Sequence, residues 1–149
     1  MAARSILFAI AGGIGLALSL DPAARAATTA KPPHAIRLEN TKLGEVYETA
    51  AGMTVYEFKI DVPHSHKSAC NGECATLWPP VAAPAGFKPR GAWGMASRTG
   101  GETQLTYQGY PLYTWIKDKK PGDITGQGVR GIWRVAKPGQ AQVSWAANP

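Results

Sequence analysis

The residues that could bind a metal ion or change redox state lie in one short segment of the chain. His64 and His66 precede Cys70 and Cys74, so four nitrogen and sulfur donors fall between positions 64 and 74. Copper(I) prefers thiolate and imidazole donors of this kind. One interpretation is therefore a copper-handling or thiol-redox site made by these four residues.

The two cysteines also have a simpler interpretation. The sequence between them, Asn-Gly-Glu, favours a tight turn, and two cysteines so placed close a disulfide in an oxidising compartment. A disulfide removes both thiolates, so the two interpretations require opposite states of the cysteines. We adopt the Cys70–Cys74 disulfide with two solvated histidines and no cofactor, and we keep copper as the alternative.

Two aspartates, Asp61 and Asp118, are the next candidates for chemistry. A pair of carboxylates can act as general acid and base if the two meet in an open cleft. More often, an aspartate at the end of a strand accepts backbone donors of the turn that follows. The sequence contains no Gly-x-Ser-x-Gly elbow and no loop of alternating oxygen ligands for calcium. We therefore assign no catalytic residue and expect a non-enzymatic protein.

The two aspartates are the last residues of two copies of one six-residue sequence motif, which we call the phrase. Each copy has an aromatic residue, a spacer, a second aromatic residue, two further residues and the aspartate: Tyr56-Glu-Phe58-Lys-Ile-Asp61 and Tyr113-Thr-Trp115-Ile-Lys-Asp118. A glycine precedes each copy and a tryptophan follows it. An internal repeat of this length indicates two similar structural units.

The residues around the second copy predict a β-hairpin. Gln104–Tyr107 and Tyr110–Trp115 flank Gln108 and Gly109, a two-residue turn in which glycine supplies a positive φ. Pro111 has no backbone N–H. It should therefore lie on an edge strand or point its missing donor outward.

Alternating apolar residues in the first copy, Tyr56, Phe58 and Ile60, would share one face of a strand. We predict an all-β fold, a small domain of two similar antiparallel β-hairpin or meander repeats joined by short turns. Since one hairpin alone is marginally stable, the repeats should pack together and share their aromatic residues as a core. Trp93 and Trp145 lie outside the repeated phrase and are the better candidates for surface contacts.

The chain begins with the features of a signal peptide. An uncharged run extends from Ile6 to Leu20, and Ala24 and Ala26 provide the small residues of a cleavage site after position 26. We predict a signal peptide at 1–26, a flexible leader at 27–42 and a repeat domain at 43–149, with repeats at about 43–98 and 99–149. The protein would be periplasmic or secreted, with no stable membrane anchor after cleavage.

Charge limits the class of partner. Sixteen Lys and Arg stand against ten Asp and Glu, a formal net charge of +6, and the excess is spread along the chain. A nucleic-acid partner would require a concentrated basic patch, so none is expected. The excess suits solubility or a loose attraction to an anionic envelope.

Together these motifs resemble a bacterial secreted-repeat family of unknown function, predicted lipoproteins with a conserved Tyr-x-(Phe/Trp/Tyr)-x-x-Asp motif. Both copies match the motif, as do the segment from Cys70 to Pro80 and the one from Gly122 to Gly128. The resemblance implies a secreted two-repeat domain with a cysteine-closed loop. The chain departs from the lipoprotein pattern because no cysteine lies just past the apolar run, where it would be acylated. We expect a module that binds an envelope component or a small ligand.

Overall fold

A computed structural model describes residues 31–139, so the signal peptide predicted at 1–26 lies outside the described residues. The described chain forms seven strands, one short helix and a 3₁₀ turn at Val129–Gly131. In chain order the elements are β1 (Ile36–Thr41), β2 (Gly44–Thr49), β3 (Tyr56–Phe58), α1 (Glu73–Leu77), β4 (Trp93–Ser97), β5 (Thr103–Tyr107), β6 (Tyr110–Tyr113) and β7 (Trp133–Val135). The predicted all-β fold is confirmed. None of the described helices has the length and apolar character needed to cross a membrane.

The strands form a five-stranded antiparallel sheet, in the order β4-β5-β6-β3-β7, and a separate β1-β2 pair. At the centre of the larger sheet, β3 of the first copy pairs with β6 of the second, and Tyr56 lies directly opposite Tyr113. The two copies of the phrase are therefore antiparallel, and they meet where Tyr56 pairs with Tyr113. This register relates the two copies by an approximate two-fold axis.

The hairpin predicted in the second copy is present. Gln108 and Gly109 both adopt positive φ, 49° and 85°, between β5 and β6, as a two-residue turn with the twist of the strands requires. Gly109 is also needed for space, because a Cβ there would lie 2.6 Å from the backbone nitrogen of His64. Pro111 is not on an edge strand, since β6 lies between β5 and β3. The β3–β6 ladder ends at Leu112, so β3 does not need a backbone N–H from Pro111.

The flexible leader predicted at 27–42 is wrong from Ile36 onward, where β1 begins. β1 pairs with β2 along its whole length, and Ile36 is buried. The guanidinium of Arg37 also donates to Glu48, whose side chain is fully buried in β2. Backbone pairing and a distant carboxylate therefore order this segment, and its own polar sequence gives no sign of either.

Apolar side chains form two core clusters. The first surrounds Trp93, which is 1% exposed and contacts Tyr47 with ring centroids 5.0 Å apart. The prediction that Trp93 lies at the surface is therefore wrong, because its ring packs against Tyr47 of β2 and Tyr107 of β5. Trp145 lies outside the described residues. The second cluster holds most of the repeated phrase, and its buried members are Val46, Tyr56, Phe58, Cys70, Trp78, Tyr113, Trp115, Trp133 and Val135.

A buried ion pair joins β3 to β7. Glu57 lies opposite Arg134 in the ladder, and the Arg134 Nε donates to Glu57 Oε2 over 2.8 Å. The second donor, Nη2 of Arg134, lies 2.6 Å from the same oxygen, and both side chains are buried. Side chains alternate faces along a strand, so Glu57 points away from the face that carries Tyr56 and Phe58. Burial raises the pKa of Glu57 to about 7, even though the neighbouring Arg134 lowers it.

Candidate functional site

The tyrosine of each copy of the phrase is hydrogen-bonded to the aspartate of the other copy. The Tyr56 hydroxyl donates to Asp118 Oδ2 over 2.7 Å, and the Tyr113 hydroxyl donates to Asp61 Oδ2 over 2.7 Å. Because the two tyrosines lie opposite each other in antiparallel strands, each side chain points to the place where the other copy ends. We call these two pairs the cross-repeat clasps.

The remaining carboxylate oxygens accept donors from the loops that follow. Asp61 Oδ1 accepts the backbone N–H of Ala69 over 2.7 Å, and Asp118 Oδ1 accepts both the backbone N–H and the hydroxyl of Thr125. Each aspartate therefore accepts a backbone donor, as expected at a strand end. Asp61 and Asp118 are only 3% and 5% exposed, and each lies in its own turn. This arrangement gives no open cleft in which they could act as a catalytic pair.

Burial governs the ionisation of Asp61 and of the two clasp phenols. It raises the pKa of the Asp61 carboxyl above its ordinary value, and the hydrogen bonds from Ala69 and Tyr113 oppose this effect. Burial and the adjacent carboxylate raise the pKa of the Tyr56 phenol and of the Tyr113 phenol. Both phenols therefore stay protonated at neutral pH and act as donors.

The aromatic residues of the two copies form a continuous stack, the aromatic column. The ring centroids of Phe58 and Trp133 are 4.3 Å apart, those of Trp133 and Trp78 are 3.7 Å apart, and those of Trp78 and Trp115 are 4.0 Å apart. Successive rings come alternately from the first and the second copy. Stacked aromatic pairs of this kind stabilise a core beyond their buried area.

Each clasp tyrosine contacts the middle of this column by its ring edge. Tyr56 meets Trp78 with centroids 5.4 Å apart, and Tyr113 meets Trp133 with centroids 5.2 Å apart. Gly126 makes this packing possible, because a Cβ there would lie 2.7 Å from the Tyr56 ring and 2.9 Å from Trp78. The backbone N–H of Gly126 also donates to the Tyr56 hydroxyl over 3.1 Å.

The Cys70–Cys74 disulfide predicted from the sequence is present, with Cα atoms 5.2 Å apart. It joins the start of the loop to α1, and Cys70 belongs to the same core cluster as Tyr113. The copper interpretation would require this bond to be reduced. Within residues 31–139, no three or more His, Cys, Asp and Glu side chains are grouped so that they could hold a metal ion.

Replacing Cys70 and Cys74 together by alanine should lower the free energy of unfolding by about 2 kcal/mol, because the disulfide closes a ring of only about five residues in the unfolded chain. Urea unfolding followed by tryptophan fluorescence would measure the difference. The wild-type protein under reducing conditions should lose a similar amount. If the double variant failed to fold, the disulfide would be more than a cross-link that stabilises one loop, and this prediction would be contradicted.

Arg98 connects the disulfide loop to one clasp, and sequence analysis missed it because it belongs to no motif. Its Nη1 donates to Ser68 Oγ and to Gln104 Oε1, over 3.0 and 2.8 Å. Its Nη2 donates to the carbonyl of Cys70 over 2.8 Å and to Asn71 Oδ1 over 3.2 Å. Ser68 Oγ lies 2.7 Å from the Tyr113 hydroxyl. None of the four acceptors carries a charge.

An open groove of about 530 Å³, the Arg98 groove, lies beside this residue. His66 and Lys67 form part of its wall. Its lining contains no acidic side chain and consists of Ser65, His66, Lys67, Ser68, Asn71, Ser97, Arg98 and Thr99. The predicted metal donors His64 and His66 are both exposed, and His66 Nδ1 lies 3.1 Å from the carbonyl of Met95.

The family described as a secreted repeat of unknown function matches residues 38–82 and 94–137. Each matched range contains one copy of the phrase, and together the two cover more than half of the chain. The chain belongs to this family. The resemblance identified from the motifs is thus confirmed, and the first matched range begins inside β1. Neither a curated protein nor a solved structure matches the chain significantly.

Membership in this secreted-repeat family changes how the motif residues are interpreted. The Tyr and Asp of the motif form the cross-repeat clasps, and the second aromatic residue, Phe58 or Trp115, ends the aromatic column. All six motif side chains are buried. The motif therefore describes how two repeats join, and a ligand would have to contact other residues.

Proposed function

We propose that this protein is a secreted, non-enzymatic binding module whose Arg98 groove takes a phosphate-bearing group of the cell envelope. The observation that carries the proposal is a concave polar groove in which Arg98, Lys67 and His66 meet without an acidic neighbour in the lining. Arginine and lysine are the side chains that attract phosphate oxygens. Since the terminal nitrogens of Arg98 already donate to protein acceptors, Arg98 would act through its charge.

Arg98 makes no direct ion pair among residues 31–139, although its charge acts on the buried carboxylate of Asp61. Four neutral acceptors orient the guanidinium. Among residues 31–139, the salt bridges join Arg37 to Glu48 and Arg134 to Glu57, so neither involves a lysine or arginine of the groove. A fixed positive charge in a concave surface attracts anions. Because the side chain is already held in place, it loses little conformational entropy when an anion binds.

The loop that forms one wall of the groove is strained. His64 and His66 adopt φ of 61° and 57°, in the left-handed region that residues with a Cβ seldom occupy. Each such residue costs about 1 kcal/mol or more and persists only where its surroundings hold it. Here the His64 N–H donates to Gly109 and the Ser97 N–H donates to the carbonyl of His66. Strain of this kind concentrates at ligand sites, which favours this loop as the binding element.

Vesicle binding tests the proposal. The wild-type protein should bind vesicles of phosphatidylglycerol and phosphatidylcholine and should not bind phosphatidylcholine alone. Lys67→Glu should weaken binding about tenfold, the effect of roughly 1.4 kcal/mol. Lys88→Glu is the matched control, because Lys88 is exposed and is not among the residues lining the groove.

Equal losses in the two variants would show that net charge alone attracts the protein to the surface, and would refute a specific groove. Absence of wild-type binding at low salt would also refute the proposal. A groove ligand should in addition be displaced by soluble glycerol phosphate, whereas a diffuse attraction should respond only to ionic strength.

A further inference from the structure

The protein interior contains two phenols that are each hydrogen-bonded to a carboxylate and in contact with a stacked tryptophan. Tyr56 and Tyr113 are fully buried, and each donates to an aspartate over 2.7 Å. We propose that the cross-repeat clasps and the aromatic column form a one-electron redox relay, in which a clasp tyrosine gives its electron to the column and its proton to the paired aspartate. This activity does not rest on the proposed anion binding, although Ser68 of the Arg98 groove lies 2.7 Å from the Tyr113 hydroxyl.

The hydrogen bond defines where the proton goes. A phenol loses an electron readily only if its proton leaves too, since the phenol radical cation is a very strong acid. In each clasp the phenolic O–H bond would break and a new O–H bond would form on the aspartate Oδ2, which already accepts that hydrogen. The products are a neutral tyrosyl radical, a neutral aspartic acid and an oxidant reduced by one electron. Reduction of the radical returns the proton to the phenol.

The aromatic column defines where the electron goes. Indole is, with phenol, the side chain most easily oxidised by one electron. The rings of Trp78 and Trp133 are 3.7 Å apart and nearly parallel, and each contacts one clasp tyrosine. Trp115 extends the stack on the Trp78 side. Phe58 ends the other side, and its benzene ring is too hard to oxidise to carry the electron farther.

An external oxidant would therefore exchange electrons with the column at its Trp115 end, where the ring is 8% exposed. The Lys117 amino group lies 5.6 Å from its ring centroid, and Lys119 Nζ donates to the carbonyl of Ile116. Ile116 itself is exposed. A basic rim around an apolar contact suits a one-electron oxidant of negative charge, such as an acidic redox protein or an anionic metal complex.

The Tyr113–Asp61 clasp is the better site for the radical. Asp61 Oδ1 accepts one hydrogen bond, from Ala69, whereas Asp118 Oδ1 accepts two from Thr125. A carboxylate with fewer donors is less stabilised as an anion and is the stronger base. Burial also raises the pKa of Asp61, which favours transfer of the proton to this carboxylate.

Flash photolysis of the full chain would test the relay. A photogenerated ruthenium(III) polypyridyl complex with carboxylate ligands serves as the oxidant, and freeze-quench electron paramagnetic resonance identifies the radical. We expect a tyrosyl signal in the wild type that forms more slowly in D₂O and that Tyr113→Phe largely removes. The Asp61→Asn variant should give a tryptophan radical signal instead of the tyrosyl signal. Tyr107→Phe is the matched control, since its buried hydroxyl contacts Gly139 and Tyr47 and, among residues 31–139, is hydrogen-bonded to no carboxylate.

A second measurement guards against variants that do not fold. Fluorotyrosine placed at position 113 keeps the volume and the hydroxyl, and its fluorine should add a hyperfine splitting to the radical signal. A tyrosyl signal without that splitting, or one that Tyr107→Phe removes, would overturn the assignment. Only tryptophan radicals in the wild type, with no isotope effect, would overturn the relay itself.

Discussion

Asp118→Ala is expected to lower the free energy of unfolding by about 3 kcal/mol. The carboxylate accepts three hydrogen bonds, from the Tyr56 hydroxyl and from the N–H and hydroxyl of Thr125. Alanine would leave the fully buried Tyr56 hydroxyl without its acceptor, which costs about 1 to 3 kcal/mol, and would release the two donors of Thr125, which is exposed and loses less. Urea unfolding at pH 7 would measure the loss.

Asp123→Ala is the matched control for this experiment. Asp123 also accepts backbone donors, from Lys119 and Lys120, but lies on an exposed turn, so its removal should cost far less. Tyr56→Phe should cost about 1.5 kcal/mol. The losses in the double variant of Asp118 and Tyr56 should be less than additive, because the two side chains share one hydrogen bond. A loss at Asp118 no greater than that at Asp123 would refute the clasp as a major source of stability.

Arg134→Met should have a comparable effect, lowering the free energy of unfolding by about 4 kcal/mol at pH 8. The change leaves Glu57 buried and unpaired, and breaking a buried ion pair on one side costs about 3 to 5 kcal/mol. Methionine preserves much of the arginine volume. Replacing both Glu57 and Arg134 by methionine should recover most of the loss, because no unpaired charge is then left between β3 and β7.

The loss in Arg134→Met should shrink as the pH falls. Burial holds the folded pKa of Glu57 near 7, above its ordinary 4.5, and removal of Arg134 raises it further. In both proteins stability decreases as pH rises from the ordinary pKa of Glu57 to its folded pKa, because over this range the folded state binds a proton that the unfolded state has released. In the variant the folded pKa is higher, so the decrease continues to higher pH than in the wild type. Unfolding curves at pH 5 and pH 8 would show the difference. A loss that is the same at both pH values would contradict a charged, unpaired Glu57.

The sequence was sufficient to predict the hairpin of β5 and β6, the aromatic core and the disulfide. These features rest on local signals, such as the Gln108-Gly109 turn and the short spacing of Cys70 and Cys74. The order β4-β5-β6-β3-β7 could not be predicted, because the pairing of Tyr56 with Tyr113 joins residues that are far apart in the chain. β1 was missed for the same reason.

The exchange of partners in the clasps was also beyond the sequence. The spacing of tyrosine and aspartate is identical in both copies, so it cannot indicate whether each aspartate meets its own tyrosine or the other one. Arg98 gave no signal because its partners, Ser68, Gln104, Cys70 and Asn71, are brought together only by the fold. Trp93 was misplaced because its burial depends on Tyr47 in a different sheet.

The exchange of clasp partners has a consequence for the origin of the chain. One copy alone would leave its phenol and its carboxylate without partners, whereas two identical copies about a two-fold axis would satisfy both with the same pair of contacts. The present arrangement is therefore that of a symmetric homodimer joined into one polypeptide. Because the two halves belong to one polypeptide, they need not be identical, and the Cys70–Cys74 disulfide lies in the first half alone.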